Sequence, residues 1–175
     1  KNLQEVDEIL NNIKKMFEIT VDHSAGTFIG MEISQETNGI RLTQSLFWEQ
    51  VAEKFGLTNA KDSEIPIMTK DETDRNLKGI FPYREAVGSL LYLSSKTRPD
   101  ISFAVGKESR YLENPSDSDV KNVKRTIKYL KGTKHLGLFF KKNGNLNEMV
   151  VYTDSDYAND LESRRSTTGY VFLFP

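Results

Sequence analysis

Apolar residues return at helical spacing in some stretches of this chain and at alternate positions in others. Over 2–18 they are Leu3, Val6, Ile9, Leu10, Ile13, Met16 and Phe17, which predicts an amphipathic helix. Asn2 and Glu5 stand where a capping box would close its first turn, and its apolar face reads as one that packs. Phe28, Ile29, Met31 and Ile33, then Ile40 and Leu42, predict a β-hairpin over 27–34 and 39–44, with Asn38-Gly39 as the positive-φ pair of the turn. A helix over 45–55 carries Leu46, Phe47, Val51 and Phe55 on one stripe and is stopped by Gly56. Trp48 reads as a core residue rather than a base-stacking platform. Residues 58–80 are polar, acidic and without clear period, as in a loop or linker.

Helical spacing resumes over 82–95 with Tyr83, Val87, Leu90, Leu91 and Leu93, and Pro82 sits near the start. Thr97 and Asp100 flank Arg98-Pro99 in a capping pattern for a helix over 100–113, which Asn114-Pro115 ends. Ser116 and Asp119 form another capping box, for a helix over 117–131 that runs to Gly132. Strands are predicted over 136–141 and 149–153, flanking a turn at Lys142-Asn143-Gly144-Asn145, and over 167–174. Between the last two lies the loop 156–166. The pattern as a whole predicts an α+β protein in which five helices surround two antiparallel strand sets, the last three strands opening a larger sheet.

Length and composition narrow this further. A chain of 175 residues makes one domain or two small ones and can bury a real core. Ten Phe, seven Tyr and one Trp argue against disorder. With no cysteine, disulfides, thiolate metal sites and cysteine nucleophiles are excluded, and His23 and His135 cannot make a multi-histidine cage. No apolar run approaches the roughly 18 residues of a membrane span, and no secretory leader opens the chain, so an intracellular protein is expected. The chain starts at Lys1 and stops inside the apolar run Gly169-Tyr-Val-Phe-Leu-Phe-Pro175, as a fragment of something longer would.

The net charge of −1 hides a segregation. Residues 117–142 hold eight lysines and arginines against two aspartates, a net of +6, while 53–74 hold three against six acids, a net of −3. On the helix 117–131, Lys121, Lys124, Arg125, Lys128 and Lys131 fall within an arc of roughly 120°, beside an arc of roughly 80° for Val120, Val123, Ile127 and Leu130. Such a stripe suits a phosphate backbone, and it equally describes an ordinary solvated lysine face. A second candidate is the strand end Val150-Val-Tyr-Thr-Asp-Ser-Asp156, where Asp154 and Asp156 share a face of an extended chain. Paired carboxylates there suit a hard cation such as Mg²⁺, or form a polar turn. Arg164 and Arg165 could bind phosphate, pair with Asp160 and Glu162, or sit in solvent. The usual nucleotide-binding and hydrolase motifs are absent.

Four stretches together resemble the Pol polyprotein of copia-type LTR retrotransposons, across nearly the whole chain. They are Gly39-Ile-Arg-Leu-Thr-Gln44; Tyr83-Arg-Glu-Ala-Val-Gly-Ser-Leu-Leu-Tyr-Leu93 running into Thr97-Arg-Pro-Asp-Ile101; Arg125-Thr-Ile-Lys-Tyr-Leu-Lys-Gly132; and Tyr152-Thr-Asp-Ser-Asp-Tyr-Ala158 with Arg164-Arg-Ser-Thr-Thr-Gly-Tyr170. The resemblance implies that residues 1–135 are a thumb and connection region of a reverse transcriptase, and 136–175 the first strands of an incomplete RNase H-like domain. It implies that Lys121, Lys124, Arg125, Lys128, Lys131, Arg164 and Arg165 face a template–primer duplex or RNA–DNA hybrid. It places Asp154 as the aspartate of the first RNase H strand, with Asp156 beside it as a further Mg²⁺ ligand. The remaining family acids would follow Pro175, and the polymerase carboxylates would precede Lys1. The chain is thus expected to bind nucleic acid without catalysis, beside the rest of the polyprotein, in cytoplasm and nucleus and with no membrane partner. A non-catalytic protein-interaction module and a functionless genomic relic are the alternatives. Lys107-Glu108 departs from the family by interrupting an otherwise apolar helix.

Overall fold

The computed structural model describes residues 3–21, 26–68, 81–142, 148–158 and 164–174. Asn2 of the first capping box, residues 69–80 of the acidic stretch, the Asn143-Gly144-Asn145 turn, Asp160 and Glu162 lie outside the described residues. Helix α1, Leu3–Met16, forms where the apolar period predicts it. Its apolar stripe nevertheless stays in solvent: Val6 is 53% and Ile9 58% exposed, and Met16 and Phe17 are exposed too. The expected packing is therefore not made among the described residues.

Strands β1 (Thr27–Phe28), β2 (Met31–Glu36) and β3 (Gly39–Thr43) form an antiparallel meander. The positive-φ pair is not Asn38-Gly39 but Ile29 (φ 48°) with Gly30 (φ 66°), between β1 and β2. Register explains the difference. Glu36 pairs with Gly39, so Gly39 is already the first strand residue of β3. It is glycine for another reason: a Cβ there would overlap the Phe140 carbonyl and the Phe139 ring. Those two residues belong to β4, Leu138–Lys141, which pairs antiparallel with β3 and closes the order β1-β2-β3-β4. The predicted pairing of β4 with the following strand does not occur. Instead β5 (Val150–Asp156) and β6 (Thr167–Leu173) make a separate two-stranded sheet, exposed along all of β5.

The core is helical. It is built by α2 (Ser45–Lys54), α3 (Tyr83–Lys96), α4 (Ser102–Glu108) and α5 (Asp117–Gly132), with 3₁₀ turns at Pro99–Ile101 and Ser109–Tyr111 flanking α4. Val87, Leu90, Leu93, Val123, Ile127 and Leu130 interlock at its centre. Trp48 is buried there, and its indole Nε1–H donates to the Ile127 carbonyl at 3.1 Å. The end of α2 is sealed by Gly56 at φ 66°, where Gly56 N–H donates to Glu53 O and Leu57 N–H to Ala52 O, the paired bonds of a left-handed helix stop. The start of α5 has the expected capping box, with Ser116 and Asp119 bonded reciprocally.

Thr97 and Asp100 do not make the predicted cap. Thr97 ends α3 and donates its hydroxyl to Gln44 Oε1 at 2.9 Å, while Asp100 receives Arg98 and Tyr129. Thr97 is drawn inward and Asp100, still exposed, is turned to Arg98, because a buried arginine and a buried amide need partners more than a short helix needs a cap.

Candidate functional site

Two places carry the candidate chemistry, and they lie on different sheets or helices. The first is the polar side of α5. Its apolar arc, Val120, Val123, Ile127 and Leu130, is buried, so the cationic arc is turned outward. It is not bare. Residues 60–68 run antiparallel along it as a strap. Lys131 Nζ donates to Ala60 O at 2.8 Å and lies 3.6 Å from Asp62 Oδ1. Arg125 Nη1 donates to Ser63 Oγ at 3.2 Å, and Ser63 N–H donates to the Lys128 carbonyl. Thr126 Oγ1 donates to Pro66 O at 2.9 Å, and Asn122 exchanges two hydrogen bonds with the Met68 backbone. Lys124 is held differently, its ammonium 4.8 Å from the centroid of the Phe81 ring.

Four of the five expected cations, Lys121, Lys124, Arg125 and Lys131, have contacts within the chain, Lys121 while exposed on the outer side. Lys128 is half-buried beside the strap. The strap was not foreseen as structure. Its one signal was the charge segregation: the strap carries Asp62 and Glu64 of the net negative stretch, and Asp62 lies beside Lys131.

The second place is the end of β5. Asp154 pairs with Gly169 and Asp156 with Thr167, and the two side chains share a face as the period of two requires. Both are exposed, and Asp154 Oδ1 accepts the Ser155 N–H at 2.9 Å. Ala158 and Arg164 both have positive φ, and the Ala158 N–H donates to Ser166 Oγ at 3.2 Å, which ties the described ends of the loop together. Arg164 and Arg165 point into solvent. Among the described residues no group of three or more acidic or histidine side chains converges to hold a metal ion. Two neighbouring carboxylates on one strand supply too few donors to make the two-metal site of a nuclease by themselves, though they suit one part of it.

A cavity lined by Gln44, Trp48, Leu93 and Arg98 holds about 10 Å³, room for one water and no cofactor. Among the described residues no helix is long and apolar enough to cross a membrane.

A profile of the family described as "Reverse transcriptase (RNA-dependent DNA polymerase)" matches residues 1–69. The chain is 35% identical over 182 residues to the "Retrovirus-related Pol polyprotein from transposon TNT 1-94" of Nicotiana tabacum, covering 97% of this chain and 14% of that protein. It is 32% identical over 166 residues to the corresponding polyprotein from transposon RE2 of Arabidopsis thaliana, covering 93% and 11%. It is also 44% identical over 91 residues to "Secreted RxLR effector protein 161" of Plasmopara viticola, covering 52% of this chain and 63% of that one. The chain therefore spans between 11% and 14% of the length of these two polyproteins. No solved structure matches it significantly.

Proposed function

Because this chain belongs to the Pol polyprotein family of copia-type LTR retrotransposons, we propose that it is a duplex-gripping segment of the reverse transcriptase–RNase H region, completing neither active site by itself. In this reading residues 1–135 serve as thumb and connection, and 136–175 open an RNase H-like domain. The β3–β4 pairing would then join the two regions through one strand, since Leu138–Lys141 belongs to the first sheet. The observation that carries the proposal is the cationic arc of α5, set beside a buried apolar arc that fixes its direction. Lys121, the most exposed cation of the arc, and Lys128 would be its phosphate contacts, Lys121 exchanging an interaction within the chain for one with the ligand. Lys124, Arg125 and Lys131 are shared with the strap and with Phe81, so they would shape the surface more than they contact a ligand. Asp154, with Asp156, would be one contribution to an Mg²⁺ site whose other ligands come from elsewhere.

The test is binding to a labelled RNA–DNA hybrid with Mg²⁺ across a salt series, followed by anisotropy, with strand cleavage read on the same samples. Affinity should fall steeply between about 50 and 200 mM salt, with no cleavage. Lys121→Gln with Lys128→Gln should weaken binding and lower the salt slope by about two, one unit per lost phosphate contact. Absence of binding at low salt removes the gripping role. Cleavage that is lost in Asp154→Asn would overturn the non-catalytic reading.

A second reading, a protein-interaction module, is favoured by the exposed apolar faces of α1 and of the β5–β6 sheet. It gains if the hybrid does not bind.

A further inference from the structure

Helix α4 ends in a glutamate that has no ordinary place for a charge. Glu108 is 1% exposed and lies where α3, α4 and α5 meet. No cation among the described residues forms an ion pair with it. Its Oε1 makes no hydrogen bond. From α3, Tyr83 Oη lies 2.8 Å from the Glu108 carbonyl oxygen and 2.9 Å from Oε2. From α5, the acid Asp119 and the side chain of Asn122 face the carboxyl. Asp119 is itself held by Ser116 in the capping box. Tyr111, in the 3₁₀ turn after α4, faces Tyr83, and Lys107 is the neighbour on the same helix.

Counting protons decides the state of this cluster. The Tyr83 hydroxyl has one proton and two oxygen neighbours, both within hydrogen-bond distance. With Glu108 ionised, that proton can point at only one of them. The other contact then sets two oxygens with facing lone pairs against each other in a dry interior, and a carboxylate is buried beside a second acid. A proton on Glu108 resolves both problems. Oε2–H then donates to Tyr83 Oη, and Tyr83 Oη–H donates to the Glu108 carbonyl. The oxygen left over, Oε1, is a neutral carbonyl, which costs far less to leave without a partner than a carboxylate oxygen does.

We propose that Glu108 is a neutral carboxylic acid in the folded chain, and that ionising it loosens the junction of α3, α4 and α5, making the helical core a pH-sensitive element. The electrostatics agree with the geometry. Burial first, and then the negative charge of Asp119, push the Glu108 carboxyl up to about 7, against the pull of the Tyr83 hydroxyl, the nearby Asn122 side chain and the Lys107 charge. Burial likewise pushes the Tyr83 hydroxyl upward, so it stays a donor. The ordinary glutamate value is 4.5. Between that value and about 7 the folded chain holds a proton that the unfolded chain has released. The stabilising contribution is therefore complete below 4.5 and is lost as pH rises through about 7. Carboxylates with lowered values, such as Glu32 and Asp100, act in the opposite direction, at acid pH.

The experiment compares urea unfolding of the 175-residue chain and its Glu108→Gln variant across the window from about pH 5.5 to about pH 8.5. The amide copies the donor of the neutral acid and cannot ionise. The unfolding constant of the parent should rise, relative to the variant, on the order of tenfold across that window. A ratio that stays level overturns the proposal. If the amide variant does not fold, Glu108→Leu supplies the non-ionising comparison. Carbon-13 spectra of the glutamate side-chain carboxyls in the parent chain decide independently. One carboxyl should titrate near neutrality; if all titrate in the ordinary acid range, Glu108 is ionised and the proposal fails.

Discussion

Arg98 holds the connection between two helices to the end of a third. It is 4% exposed, and its guanidinium spends its donors on two partners. Nε and Nη2 reach the two oxygens of Asp100 at 3.0 and 2.7 Å, and Nη1 and Nη2 reach the carbonyl and hydroxyl of Thr133 at 3.1 and 2.6 Å. Thr133 caps the end of α5, and Tyr129 of the same helix donates to Asp100 at 2.9 Å. The Thr97-Arg-Pro-Asp100 motif is thus a clasp between the α3–α4 connection and α5. Burial raises the Asp100 carboxyl, but the donors and charge of Arg98 outweigh this and hold it below the ordinary aspartate range. Its contribution is present above that range and is lost as pH falls through the lowered value. A lysine keeps the charge but cannot span both partners. Arg98→Lys should cost about 2 kcal/mol in urea unfolding, chiefly for the Thr133 hydrogen bonds that lysine leaves unmade in the interior. A loss below about 1 kcal/mol would leave the clasp without weight. The motif was legible as a feature of the sequence. Its role was not, because Thr133 lies 35 residues from Arg98 along the chain.

Elements with the same periodicity meet different fates. Both α1 and α5 carry apolar residues on one helical face, and the sequence distinguishes them little. In α5 the apolar face is sealed against α2, α3 and α4. In α1 it is left to solvent. A stripe says that a helix has a face to bury. It does not say that the partner lies in the same stretch of chain. The contrast is measurable by paired substitutions in urea. Ile127→Ala should cost about 2–5 kcal/mol, the range for a fully buried large aliphatic residue. Ile9→Ala should stay within about 0.5 kcal/mol. A large loss at Ile9 would mean that α1 is packed in solution. The strap behaves in the same way at one remove: residues 60–68 have no period, yet they gain order from side chains of α5.

For the whole molecule, the strand pairing sets where the chain can be shortened without loss. β4 closes the four-stranded sheet, and a Cβ on Gly137 would overlap the Leu42 carbonyl, so the chain passes closely there. β5 and β6 form only a two-stranded ribbon, which is marginal in water by itself. Removing residues 148–175 should therefore leave the urea midpoint of the helical core nearly unchanged. Ending the chain at Leu136 instead should lower it, because β3 and Gly39 then lose their neighbour. Equal midpoints for the two truncations would show that β4 contributes nothing. Amides of β5 and β6 should exchange faster than those of α3 and α5.

The sequence by itself determined what depends on near neighbours. Helix positions, the stop at Gly56, the capping box at Ser116, the α+β class and the family motifs all rest on residues a few positions apart. Only the tertiary structure decided the rest: the pairing of β4 with β3, the strap that takes up part of the α5 charge, the inward turn of Arg98 and the burial of Glu108. Each of these joins residues far apart in the chain. Such contacts are chosen by steric fit, by the need of buried polar groups for partners, and by the entropy of closing the intervening loops. None of those quantities is written in a local window of residues.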